Sequence, residues 1–441
     1  MAKRVQFILL GILGGLAFWG LTEAPEAWRG MRAFLALSVL AASFFTATLA
    51  MLGELGLRRA LGFAALIGAV AALLALLKSF AFTDTWQMLQ QGHVLVALTV
   101  ICTLPLPFAI AWGLGGRAGW TEYRVLFLEA WNIVVRYAAA WLFVAVVWAV
   151  LWLLAMLLRI VGVEALVDLL ERPVLIWLLV GGSLGLGLSV VTEMSDMVSP
   201  YLLLRLLRLL LPLVLVVVLV FVAALPLRGL THLFGHLSAA TILLTTAMAA
   251  IGLIAITVDQ DDVEAPHAAA LLWSGRGLAL LLPVLVALAI QALAERVGSY
   301  GWTPARVMAA TAAGVMAGYA VFYALSVLTG RGWMRWIRRA NVVMALAMIG
   351  LGVRWMTPAV SPEAIATRSQ MARYAAGGLR ADVARQTGLL VYDRDALTGK
   401  TRWSGAIGEV TGFGEDDFQG VDAEEWMELV HPDDRDAVVR R

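Results

Sequence analysis

One cysteine in 441 residues, five histidines and few charges are what this sequence lacks most. Asp, Glu, Lys and Arg make up only 15% of it. A soluble domain averages about 25% charged and about 45–50% apolar residues. At 61% apolar, a soluble globular enzyme is excluded for most of the chain. The single Cys102 excludes an intrachain disulfide and lies in an apolar run, where it reads as a small core residue. Paired carboxylates, a nucleophile beside a base and a metal constellation are missing from the apolar runs, so no catalytic residue, metal site or cofactor is expected. No chain of buried Asp, Glu or His offers a proton path, and no basic patch suits nucleic acid. The scarce charge is also uneven. From Pro358 onward, 84 residues carry 25 of the 64 charges, 15 acidic and 10 basic. The first 357 carry the other 39, with a net of +7.

What is present is a series of long apolar runs. A spanning helix needs about 20 such residues to cross a core about 30 Å thick. Eleven spans are read, at 6–22, 33–53, 60–82, 93–115, 135–158, 174–192, 208–227, 237–258, 275–294, 306–328 and 340–357, with 10–12 possible. The runs are continuous rather than alternating, which favours helices over barrel strands. Lys3 and Arg4 before the apolar stretch 5–21 read as an uncleaved first span, because no small-residue cleavage site follows. Basic residues at 3–4, 58–59, 117–124, 205–208 and 331–339 favour a cytoplasmic N-terminus. Eleven spans would then put the acidic tail outside. A cytoplasmic tail requires an external N-terminus or an even count. The spans at 6–22, 93–115 (with Pro105 and Pro107) and 340–357 are the weakest.

Few residues in the spans invite chemistry. Arg136, Glu193 and Asp196 sit at span ends, where snorkelling or headgroup contact accounts for them. The acids of 259–264, next to His267, match no EF-hand and read as a solvated loop. His232 and His236 share a helix face but have no third ligand, and read as an interfacial pair. Residues 159–173 are either an interfacial helix or an extension of the fifth span. Gly11 and Gly15, Gly181 and Gly185, and Gly314 and Gly318 have the spacing that lets helices approach closely, within one bundle rather than at a dimer interface. Trp19, Trp302 and Trp336 fit an interfacial belt.

One loop is unusually specific: Glu295-Arg296-Val297-Gly298-Ser299-Tyr300-Gly301-Trp302-Thr303-Pro304-Ala305-Arg306. Gly301 suits a tight turn, and Thr303 can cap a helix that starts at Pro304. Arg296 and Arg306 flank the turn. This E-R-V-x-x-Y-G-x-T-x-x-R pattern resembles the bacterial membrane family called domain of unknown function 4153. So do the Arg-rich stretch 201–212 and the I-x-x-R-x-Q-x-x-R run within 361–373. The resemblance covers about residues 1–380. It implies a multi-pass protein of the bacterial inner (cytoplasmic) membrane and brings no activity. Arg296, Tyr300, Gly301, Thr303 and Arg306 are the positions it singles out, alongside a plain role in folding and lipid-interface anchoring.

Residues 358–387 read as a polar connector and 388–441 as a separate fragment, after a bundle over 1–357. Residues 389–392 and 401–404 are short strands about a turn-rich stretch at 393–400. Ile407, Val410 and Phe413 lie at helical spacing, and 424–430 gives another short helix. Trp403, Gly412, Phe413, Trp426 and His431-Pro432-Asp433-Asp434-Arg435 resemble the first half of a PAS domain. Pro432 and the two Asp suit a helix start, so His431 reads as structural. About 54 PAS-like residues precede Arg441, without the later strands that close the usual pocket. The resemblance implies signalling, pairing with a second copy through the tail, and an output domain or protein absent from this chain. A longer product would be a histidine kinase or a cyclic-dinucleotide enzyme. The expectation is an all-α polytopic bundle, in contact with the bilayer, with a short α+β PAS-like C-terminal fragment. Its role is that of a membrane sensor input. The alternative is an envelope or transport protein whose tail is a remnant or gene-fusion fragment.

Overall fold

The computed structural model describes residues 2–194, 200–228, 239–266, 268–330, 332–357, 361–375, 384–394, 401–414 and 425–426. It shows an all-α polytopic membrane bundle. Eleven of the described helices are long and apolar enough to cross a bilayer, in the same eleven places as the apolar runs. The spans are α1 (Ala2–Thr22), α3 (Arg32–Met51), α4 (Leu57–Ser79), the pair α6 and α7 (Gly92–Thr103, Pro105–Gly119), α8 (Tyr123–Ile160), α10 (Pro173–Glu193), the pair α11 and α12 (Pro200–Arg208, Leu210–Arg228), α13 (Ala239–Val258), α14 (Ala269–Tyr300), α15 (Pro304–Leu328) and α16 (Trp333–Met356). Short helices α2 (Glu26–Arg29), α5 (Thr85–Leu89) and α9 (Ala165–Leu170) lie in loops. The tail adds α17 (Pro362–Ala375), strands β1 (Leu390–Arg394) and β2 (Thr401–Gly405), and α18 (Ile407–Thr411).

The chain divides into two compact units. The first is Met1–Leu293 with Met308–Ser361, and the second is Ala294–Val307 with Pro362–Arg441. Hydrocarbon offers the backbone no partner, so each span satisfies its own ladder. The proline-containing fourth span keeps its length because Pro105 sits at the first position of α7, where no donor is lost.

Glycine sets the closest packing in the first unit. Gly11 and Gly15 on α1 face Gly181 and Gly185 on α10. A Cβ on Gly11 would collide with the carbonyl oxygen of Gly181, and one on Gly185 with that of Phe7. The expected packing within one bundle therefore holds for these pairs. Gly318 faces the side chain of Met344, while Gly314 has open space beside it. The main apolar core joins α12 to α16 and includes Leu211, Leu282, Tyr323 and Ile337.

Two expectations are corrected here, and one open alternative is decided. Arg136 does not snorkel from a span end. It lies within α8, is 8% exposed and forms an ion pair with Glu54. Its place was misread because α8 starts at Tyr123 and runs 38 residues. At a 1.5 Å rise that is about 57 Å, well beyond the hydrocarbon core.

Nor is the loop at 259–264 simply solvated. Asp259 is fully buried and paired with Arg208, and Asp262 is paired with Arg338 at 2.6 Å. Arg338 also donates to the carbonyls of Val258 (2.7 Å) and Asp259 (3.1 Å), and Arg208 to that of Ile256 (3.1 Å). The two guanidiniums thus cap the end of α13, where carbonyls lack helical partners and the dipole is negative. Of the two readings open for 159–173, the extension of the fifth span stops at Ile160. Gly162 turns with φ of 83°, and Val163 donates back to Leu158 (3.0 Å). This ends α8 before α9 starts.

The ion pairs follow the parity of eleven spans. Arg4–Glu193, Arg136–Glu54, Arg124–Asp261, Arg208–Asp259 and Arg338–Asp262 all join segments on the side of the N-terminus. Glu193 thus has a protein partner, while Asp196, His232, His236 and His267 lie outside the described residues.

Candidate functional site

The second unit holds the positions that the sequence singles out. Span α14 ends at Tyr300, and Gly301 follows with φ of 74°. Its N–H donates to the carbonyl of Val297 at 2.7 Å. This left-handed end favours glycine. Thr303 then caps α15, its Oγ1 accepting from the N–H of Arg306 at 3.3 Å, with Pro304 at the first helical position. The Arg306 guanidinium folds back over the turn. It donates to the Gly301 carbonyl at 2.5 Å and sits 5.6 Å from the centre of the Tyr300 ring. Arg306 therefore closes its own turn, while Arg296 is exposed and takes no part in these bonds.

The turn is clasped by α17. The Ser369 hydroxyl accepts from the N–H of Trp302 at 3.0 Å. Gln370 donates to the carbonyls of Tyr300 (3.2 Å) and Trp302 (3.0 Å). Arg373 donates to those of Gly298 (3.0 Å) and Ser299 (2.6 Å). The last carbonyls of a helix have no partner of their own, and a cation there meets the negative end of the dipole. Gly301 is also required by space, since a Cβ there would lie 2.7 Å from Arg373 Cδ and 3.1 Å from Ser369 Oγ. The segment read as a mere connector is thus bonded to the turn between the ninth and tenth spans. The segments 295–306 and 361–373 meet here.

Further on, β1 and β2 form an antiparallel pair in which Tyr392 stands opposite Trp403. Trp403 is 4% exposed, with its ring centre 5.6 Å from that of Tyr392 and 5.0 Å from that of Trp426. Ile407 is buried beside it. Gly405 has φ of 106° and sits where a Cβ would meet Ala384. Gly412 ends α18 with φ of 77°, its N–H donating to the Gly408 carbonyl at 3.1 Å. Phe413 lies just past the helix and is exposed. The strand and helix starts agree with the sequence reading to within a residue. His431, Pro432, Asp433 and Asp434 lie outside the described residues.

Residues 400–441 match a family model described as the PAS fold. No curated protein and no solved structure matches the chain. The PAS-like fragment is built around Trp403, whose ring joins both strands to Trp426. Among the described residues no group of three or more His, Cys, Asp or Glu could hold a metal ion.

Sequence reasoning missed the buried cluster of Arg208, Asp259, Gln260 and Arg338, and with it Tyr201, which accepts from Gln260 Nε2 at 2.7 Å. The partners are 51 and more residues apart. The available signal was an acidic loop that parity places on the side of two Arg-rich loops.

Proposed function

We propose that the chain is the input part of a membrane signalling protein, in which the bundle anchors or senses and the PAS-like tail relays. The observation that carries this reading is the PAS-fold match at 400–441. The clasp supports it: α17, the first helix after the spans, is hydrogen-bonded to the turn joining α14 and α15. A shift of these two spans would reach the root of the tail through named bonds. PAS domains are binding and pairing modules, so the tail would act with a second copy of itself and with an output domain or protein. The division into a bundle at 1–357, a connector at 358–387 and a PAS-like fragment at 388–441 belongs to this proposal. So do the bacterial inner-membrane location and the resemblance of 1–380 to domain of unknown function 4153.

The reading requires a cytoplasmic tail. With eleven spans the N-terminus is then outside, against the pull of the basic residues on its side. Fusing alkaline phosphatase or green fluorescent protein at Arg441 tests this. Fluorescence without phosphatase activity is expected. Phosphatase activity would sink the relay and leave a membrane protein with a vestigial end.

A further inference from the structure

Within the first unit, α6, α13, α15 and α16 line a laterally open cavity of about 280 Å³, with Val96 and Met248 on its exposed rim. Four methionines line it: Met248, Met308, Met316 and Met348. Their unbranched thioethers adapt to irregular guests. At one end stand His93 and Trp355, with ring centres 6.0 Å apart. His93 opens α6, Met308 lies in the first turns of α15 and Trp355 is in the last turn of α16. The parity of the spans puts all three toward the same membrane surface. Val100 and Met348, seven residues further along their helices, lie about 10 Å deeper. The cavity is a slot with a polar mouth and an apolar depth.

Trp355 is 7% exposed, yet its Nε1–H has no hydrogen-bond partner among the described residues. An unmet buried donor is costly and rare in native proteins. Indole can only donate, so the partner must be an acceptor.

We propose that this slot binds a membrane-soluble molecule with an apolar body and a carbonyl oxygen that accepts from Trp355 Nε1. A lipid ester with its acyl chain and a quinone with its tail share that chemistry. The volume is near the low end of small-molecule pockets, about 300 Å³, which suits one chain or one ring. Apart from His93, Thr311 and Trp355 the lining is apolar and holds no Asp, Glu, Lys or Arg.

Photolabelling of the full chain in nanodiscs tests the assignment. The probes are a benzoquinone with a diazirine on its alkyl tail and a phosphatidylglycerol with a diazirine in one acyl chain. Label is expected in peptides carrying Met316 and Met348. Excess unlabelled quinone or phosphatidylglycerol should suppress it, and the one that does so names the source. Trp355→Phe keeps a ring but removes the donor, and should weaken labelling about tenfold. Ala312→Phe should abolish it by filling the slot, since Ala312 is half-buried in the wall. Unfolding temperatures close to the parent's would show that both variants fold. Should Trp355→Phe not fold, Ala312→Phe carries the test alone. Label spread over lipid-facing residues and unchanged in the folded variants, or no label from either probe, would overturn the proposal.

Discussion

Arg373, in the first helix of the tail, donates to the carbonyl of Ser299 at 2.6 Å, in the last turn of the ninth span. A helix end that would otherwise need water is capped by a side chain 74 residues away. The glycine between the two elements leaves room for that side chain.

Gly301→Ala should therefore destabilise the protein. The left-handed conformation costs an L-residue about 1–2 kcal/mol, and the new methyl group would push Arg373 aside. Gly298→Ala, three residues earlier, has open space and helical backbone. It should be neutral or gain up to about 1 kcal/mol. Thermal unfolding of both variants in detergent checks the opposite signs. Equal effects would contradict the geometry.

Arg208 and Asp259 predict a double-mutant cycle. Removing one partner of a buried pair leaves an uncompensated charge, which costs about 3–5 kcal/mol. Arg208→Met or Asp259→Asn alone should be severe, and the double variant much milder than the sum. The exposed pair of Arg124 and Asp261, at 3.8 Å, should give less than about 1 kcal/mol. Unfolding in detergent measures each corner.

The eleven spans were legible because each is a continuous apolar run, and the turn at 300–304 because glycine, threonine and proline carry local backbone physics. The ion-paired loops were not. Asp259 in sequence is one acid among four, and its burial depends on Arg208 and Arg338, which only folding brings near. Arg136 was misplaced for a related reason. Charged and aromatic residues at the start of α8 hid a helix that begins twelve residues before the apolar run. The clasp was half legible: its turn reads from glycine, threonine and proline, but nothing local says that 361–373 touches it.

Close helix packing gives a third expectation. Gly11→Val would force α1 from the Gly181 backbone, so the yield of monodisperse protein should collapse. Gly20→Val, on the same helix with nothing within 4 Å, should leave it unchanged. Size-exclusion profiles of the two variants decide between packing and simple helix propensity.

The tail should fail locally. Trp403→Ala removes the ring between Tyr392 and Trp426, and a two-stranded sheet is marginal at best. Limited proteolysis should cut the tail faster and leave the spans intact. Val410→Ala, at an exposed side chain of α18, should not change the rate.

The central claim is that eleven spans separate the two ends and that the tail lies in the cytoplasm. Single cysteines at Lys3→Cys and Arg441→Cys, in a Cys102→Ser background, can be labelled with a membrane-impermeant maleimide in spheroplasts. The account predicts label at position 3 in intact spheroplasts and at position 441 only after lysis. Label at position 441 in intact spheroplasts would contradict the signalling reading, and equal labelling at both positions would contradict the odd span count.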